Sequence, residues 1–119
     1  MNSSLVTEPL FSILVPTYNQ SQYLSEALDS ILSQSFQNWE AVIVNDGSTD
    51  NTKEIMREYA SKDSRFKCYH KENGGLGTAL NEALRQTKGV WICWLSSDDL
   101  FLPRLTLLLG FQLHGLMLQ

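Results

Sequence analysis

Short apolar runs alternate with amphipathic stretches along this chain, and the alternation predicts its elements. Phe11 to Val15 is an apolar run ended by Pro16, which reads as a buried strand. From Ser21 to Ser35 the apolar positions are Leu24, Ala27, Leu28, Ile31 and Leu32, a helical spacing that Asn19 or Ser21 is placed to cap. Trp39 to Val44 is a second strand, broken by the turn signal Asn45-Asp46-Gly47. A second helix is predicted from about Thr49 to Ser61, with Ile55, Met56, Tyr59 and Ala60 on one side. Asp50 in its first turn favours the positive end of the helix dipole. Phe66 to Tyr69 reads as a short strand, and Thr78 to Thr87 as a helix with Ala79, Leu80, Ala83 and Leu84 inward. Val90 to Leu95 is a fourth strand, apolar throughout and so expected to be buried on both faces. The order βαβαβαβ implies an α/β fold: a Rossmann-like parallel sheet flanked by helices, with right-handed crossovers.

Ligands of an open parallel sheet bind beyond the carboxyl ends of its strands. The four segments at that edge are Pro16-Thr17-Tyr18-Asn19, Asn45 to Asp50, Asn73-Gly74-Gly75-Leu76-Gly77 and Ser96-Ser97-Asp98-Asp99. All are polar or glycine-rich. Loops at the other edge, Ser35 to Asn38 and Lys62 to Arg65, read as solvated connections. Adjacent carboxylates at Asp98 and Asp99 repel unless a cation compensates, and hard oxygen donors suit Mg²⁺ or Mn²⁺. The plainer alternative is a helix N-cap. Asp46 in an Asn-Asp-Gly turn equally suits local backbone bonding, and Tyr18 either stacks on a base or packs. The glycine cluster matches neither a dinucleotide fingerprint nor a Walker loop.

Composition narrows the classes. The chain has 119 residues, is 43% hydrophobic and 18% charged, and carries a net charge of −4, which suits one globular domain. Its nine basic residues are scattered, so a nucleic-acid partner is not expected. Two cysteines, Cys68 and Cys93, make neither a disulfide framework nor a zinc site, and read as buried thiols. His70 and His114 have no ligand spacing. Trp91 and Trp94 read as core residues, whereas Trp39 at a strand start is expected to be partly exposed. MNSSLVTEPLF lacks the pattern of a signal peptide, which makes the cytoplasm the expected location.

Four segments together resemble glycosyltransferase family two: Phe11-Ser-Ile-Leu-Val-Pro-Thr-Tyr-Asn19, Val44-Asn-Asp-Gly-Ser-Thr-Asp50, Asn73-Gly-Gly with Ala79 and Asn81, and Trp94-Leu-Ser-Ser-Asp-Asp99. The resemblance runs over about residues 9 to 103. It implies a GT-A fold with strand order 3-2-1-4, a nucleotide-diphosphate sugar donor, UDP-sugar favoured, and sugar transfer with inversion to a glycan, protein or lipid acceptor. Pro16, Thr17, Tyr18 and Asn19 match the segment at the nucleobase, and Asp46 the residue that hydrogen-bonds the base. Asn73 and Gly75 match the loop near the nucleotide and donor sugar. Asp98 and Asp99 match the end of the DxD-type motif that touches ribose and holds Mn²⁺ or Mg²⁺ on the diphosphate, where the cation offsets leaving-group charge. Ser96 and Leu80 depart from the family pattern, Leu80 standing where a basic residue is common.

Family members continue well past the acidic motif, and no carboxylate lies between Leu100 and Gln119, so no catalytic residue is identifiable. The expectation is a nucleotide-binding half that transfers sugar poorly alone. A non-catalytic nucleotide-binding or oligomerisation module is the alternative. A sugar nucleotidyltransferase is disfavoured, because Pro16-Thr17-Tyr18-Asn19 offers neither glycine nor charge for a triphosphate. The chain divides into an extension (1–8), the nucleotide-sugar-binding domain (9–103) and an apolar tail (104–119). Leu100 to Gln119 holds nine leucines and one charged side chain, Arg104. The tail is too short past Arg104 to span a bilayer. It is expected to drive a homo-oligomer, with membrane contact peripheral at most.

Overall fold

The computed structural model describes residues 9–95. Its elements run β1 (Phe11–Thr17), α1 (Ser21–Leu32), β2 (Trp39–Asp46), α2 (Thr52–Lys62), β3 (Phe66–Lys71), α3 (Leu76–Arg85) and β4 (Trp91–Trp94). The four strands form one sheet in the order β3-β2-β1-β4, parallel throughout. The predicted α/β class and the 3-2-1-4 order are therefore both present. The 1–8 extension, Asp98, Asp99, His114 and the 104–119 tail lie outside the described residues.

Alternation along the central strands divides the core into two faces. Ile13 and Val15 of β1 and Ala41 and Ile43 of β2 meet Leu24, Ala27, Leu28 and Ile31 of α1 and Met56 and Tyr59 of α2. Leu14, Val42, Val44 and Ile92 point the other way, onto Ala79 and Ala83 of α3. The apolar positions of α1 recur every three or four residues, so one stripe is buried. Each fully buried Leu or Ile stabilises the fold by about 1.5–3 kcal/mol. The Tyr59 hydroxyl ties the two helices, donating to Asp29 Oδ1 at 2.7 Å and Ser25 O at 3.2 Å. Burial and Asp29 push that hydroxyl's pKa up to about 12, so it remains a donor.

The structure corrects several local expectations. Pro16 does not end β1, which continues through Thr17. Leu10 O and Leu14 O accept bonds from the β4 side, so even-numbered residues of β1 face β4. Among the described residues the last β1–β4 partners are Leu14 and Trp94, so the missing N–H of Pro16 falls past this paired stretch. Neither Asn19 nor Ser21 caps α1; its N-cap is Gln20, without a side-chain bond. Val90, Trp94 and Leu84 are about half exposed, and among the described residues α3 is the one helix against this face. Trp39 is buried at 2% exposure, packed on Phe66 and under the Arg65 guanidinium, 3.9 Å from the ring. Cys68 and Cys93 are free thiols on opposite edge strands, and burial pushes their pKa values up to about 11 and about 12. Among the described residues, no helix is long and apolar enough to cross a membrane.

Candidate functional site

At the carboxyl ends of β1, β2 and β3 the loops converge on the turn that follows β2. Gly47 makes the turn at φ +76°, where a side chain is strained, and a Cβ there would stand 2.6 Å from the Asn73 nitrogen. Glycine thus lets the β2 and β3 loops touch backbone to backbone.

Asp46, at the end of β2, is 3% exposed and grips the β3–α3 loop. Its Oδ1 accepts from Lys71 Nζ at 2.8 Å and Gly74 N–H at 3.0 Å. Its Oδ2 accepts from Gly75 N–H at 2.9 Å and Asn73 Nδ2 at 3.2 Å. Burial alone pushes this carboxyl's pKa up, but the Lys71 ammonium and the two glycine amides outweigh it and hold the group below its ordinary value. Asp46 is therefore an anion at neutral pH. Lys71 completes the knot by donating also to Glu72 O and Thr78 Oγ1. Gly75, at φ +98°, turns the chain into α3 as its N-cap.

On the other side of the turn, Asp50 serves two helix starts. Its Oδ2 accepts from Ser21 N–H at 3.1 Å, and its Oδ1 from the Thr52 N–H at 3.1 Å and the Thr52 hydroxyl. Partial desolvation opposes ionisation here too, although Asp50 is exposed, and these donors again hold the carboxyl below its ordinary pKa. Asn45 Oδ1 accepts from Ser48 N–H at 3.0 Å, which turns its amide nitrogen toward His70 Nδ1, 3.2 Å away. Asn19 joins the same turn through Ser48 and Thr49.

Between these walls lies an open cleft of about 390 Å³, lined by Pro16, Thr17, Tyr18, Asp46, Asn73, Gly75, Leu76 and Ala79. Six of the nine sequence-nominated residues therefore share one cavity. Asn19 stands beside it without lining it. Asp98 and Asp99 lie outside the described residues, although β4 runs parallel beside β1 and carries the chain toward this same edge. The Thr17 hydroxyl is buried and has no hydrogen-bond partner among the described residues. The Tyr18 and Leu76 side chains are about half exposed. Leu76 and Ala79 were not nominated as site residues, since helical spacing read Ala79 as plain core. Lys71 carries no signal in the sequence, whereas Asp50, expected in the first turn of the second helix, stands just ahead of α2 and bonds Thr52 and Ser21 instead.

This arrangement is matched elsewhere. The sequence profile of glycosyl transferase family 2 covers residues 12–114. This chain belongs to that family. An uncharacterized glycosyltransferase of Rickettsia felis is 46% identical over 97 residues, which are 80% of this chain and 16% of that protein. The putative glycosyltransferase EpsH of Bacillus subtilis is 42% identical over 95 residues, 80% of this chain and 28% of its own. The family 2 chain thus spans less than a third of these relatives' length. Among solved structures, S. aureus TarS 1-349 in complex with UDP aligns at a TM-score of 0.79 and 33% identity, covering 88% of this chain and 32% of that one. The mannosyltransferase PcManGT from Pyrobaculum calidifontis, in complex with GDP-Man and Mn²⁺, aligns at 0.75 and 32%, covering 86% and 31%. The GT-A fold of these neighbours is the fold of this chain.

Proposed function

We propose that this family 2 chain forms the nucleotide-sugar donor site of an inverting glycosyltransferase, with a UDP-sugar as donor and a glycan, protein or lipid as acceptor. The observation that carries this reading is the cleft itself, an aromatic face and a buried unpartnered hydroxyl set beside an ionised carboxylate. In this reading Tyr18 stacks on the base, with Pro16 and Leu76 at its margins. The Thr17 hydroxyl bonds the base edge, and Asp46 accepts from a base N–H. Asp46 has room for that bond at Oδ2, because Asn73 Nδ2, its longest partner, also reaches Asp46 O at 3.0 Å. Asn73 and Gly75 face the sugar-phosphate side. The acceptor hydroxyl attacks the anomeric carbon, and its proton goes to a carboxylate base that is not assigned to any described residue.

Among the described residues, no group of three His, Cys, Asp or Glu side chains is placed to hold a metal. The donor set that fits Mn²⁺ or Mg²⁺ is the oxygen pair Asp98 and Asp99, in the segment that follows β4. A cation there supplies charge stabilisation for the departing diphosphate. The unit spans 9–103 in this reading, with 104–119 as a self-association segment. The location is cytoplasmic, with membrane contact peripheral at most. Calorimetric titration of the chain with UDP, with and without Mn²⁺, tests the donor site. Saturable binding strengthened by Mn²⁺ is expected, and no heat at millimolar UDP rejects the reading. Light scattering at tens of micromolar tests self-association, which a monomer rejects.

A further inference from the structure

One non-glycine residue among those described stands in the left-handed region, Asn19 at φ +52°. Such a conformation persists where the surroundings over-determine it, and here they do. The Asn19 N–H donates to Ser48 Oγ at 2.9 Å. Its side-chain Oδ1 accepts from Thr49 N–H at 2.8 Å and from the Thr49 hydroxyl at 3.3 Å. A backbone N–H only donates, so the amide orientation is settled: oxygen toward Thr49, NH₂ away. Two residues on, Asp50 holds Ser21 N–H. The segment from Asn19 to Ser21 is thus pinned at both ends to the turn after β2.

Tyr18 lies between this clasp and Thr17, whose side chain is buried in β1. Its neighbours on both sides are immobilised, while its own ring is half exposed beside the cleft. We propose that Asn19 is a positioning residue. Through its side-chain oxygen it locks the β1–α1 loop to Thr49 and so holds the Tyr18 ring where a nucleobase stacks, without touching the ligand itself. The inference rests on the donor-site reading above and adds to it a source of base affinity that is indirect. A pre-oriented ring spares the ordering of the loop on binding.

Two variants separate the roles of the amide. Asn19→Gly accepts the left-handed backbone and deletes the oxygen; Asn19→Asp keeps an oxygen toward Thr49 and deletes the NH₂. Calorimetry with uridine, which carries no diphosphate, is expected to show about tenfold weaker binding for Asn19→Gly and a change within about twofold for Asn19→Asp. UDP should weaken by the same factor as uridine in the glycine variant. Wild-type affinity in Asn19→Gly overturns the proposal. So does an equal loss in both variants, which assigns the NH₂ to the ligand, or a loss for UDP alone, which assigns the effect to the phosphates. Amide hydrogen exchange in the ligand-free chain gives the second measurement. Protection at Asn19 and Thr49 should fall in Asn19→Gly and persist in Asn19→Asp. If wild type binds no uridine and no UDP, the donor-site reading fails, and unchanged protection in Asn19→Gly overturns the clasp independently.

Discussion

The two ends of this sheet carry cavities of similar size and opposite character. At the carboxyl ends the cleft of about 390 Å³ is walled by Pro16, Tyr18, Leu76 and Ala79, with Asp46 and the Thr17 hydroxyl among them. At the amino ends a hollow of about 320 Å³ is lined by Trp39, Glu40, Arg65, Lys67 and Lys88. There the charged groups that are buried hold structure. Glu40 Oε2 accepts from the Ser12 hydroxyl and from Lys88 N–H, both at 2.6 Å, and Gly89 N–H completes the set on Ser12 Oγ. Arg65 is spent on Asp63, on Gln37 O and on the Trp39 face. Hydrogen-bonding side chains also bind backbone at the carboxyl ends, but they bind one loop to the next, and the surface they leave is an aromatic and glycine-lined slot. Volume does not separate the two hollows. What separates them is which surfaces remain once internal bonds are made.

That contrast is sharpest at Asp46. Replacing Asp46 by alanine takes the counter-charge from Lys71 and strands the amides of Gly74 and Gly75, so we expect a loss of about 3 kcal/mol in urea unfolding. UDP affinity should fall by about a hundredfold or more in calorimetry, because the loop that forms one wall is released. Near-normal binding by a folded Asp46→Ala chain would remove the carboxyl-end cleft from the reading.

Paired glycines sharpen the comparison further. A Cβ at Gly47 would come within 2.6 Å of the Asn73 nitrogen; a Cβ at Gly89 would come within 2.6 Å of Ser12 Oγ and 2.8 Å of Ser12 N. Each change to alanine should destabilise by about 1–3 kcal/mol in thermal or urea melts. Only Gly47→Ala should also weaken UDP, by about tenfold, since only its neighbour borders the cleft. At the amino ends, the double variant Lys67→Ala/Lys88→Ala should leave UDP affinity within about twofold at moderate salt, where remote surface charges are screened. A larger loss would mean that the basic hollow, not the slot, meets the phosphates.

The smallest effect concerns His70. Its Nδ1 faces the Asn45 amide nitrogen and must accept, which requires the neutral ring. Partial desolvation, helped by Lys53 and Arg57, lowers the pKa of this exposed residue below the ordinary value. A lowered folded-state pKa stabilises the protein above the unfolded value and loses that contribution as pH falls through the folded one. The urea midpoint of wild type should therefore shift slightly downward between pH 7 and about pH 5. His70→Ala should lack that component.

Much of this was legible in the chain, for identifiable reasons. Short apolar runs at Phe11–Val15 and Trp39–Val44, and the three-four spacing from Leu24 to Ile31, reflect local geometry, so they yielded elements within a few residues. The parallel sheet and its ligand edge followed from element order. Boundaries were less legible: Pro16 stays in β1 because its missing N–H lies on the β4 side, beyond the described Leu14–Trp94 pair, a fact about a strand nearly eighty residues away. Among the described residues, the exposure of Val90 and Trp94 likewise depends on what packs against their face, not on their own apolar character.

Individual side-chain roles divide the same way. Sequence alone determined the α/β class, the strand order through family resemblance, and the gathering of Pro16, Thr17, Tyr18, Asp46, Asn73 and Gly75 at one edge, because these rest on periodicity, order and motif. Only the tertiary structure decided that Asp46 grips the Asn73–Gly75 loop, that Asp50 holds the starts of two helices, and that Asn19 turns its oxygen to Thr49. Apart from the local Asp50–Thr52 pair, those bonds join residues twenty-seven to thirty positions apart. No local pattern encodes which donor a carboxylate meets once strands from distant parts of the chain are laid side by side.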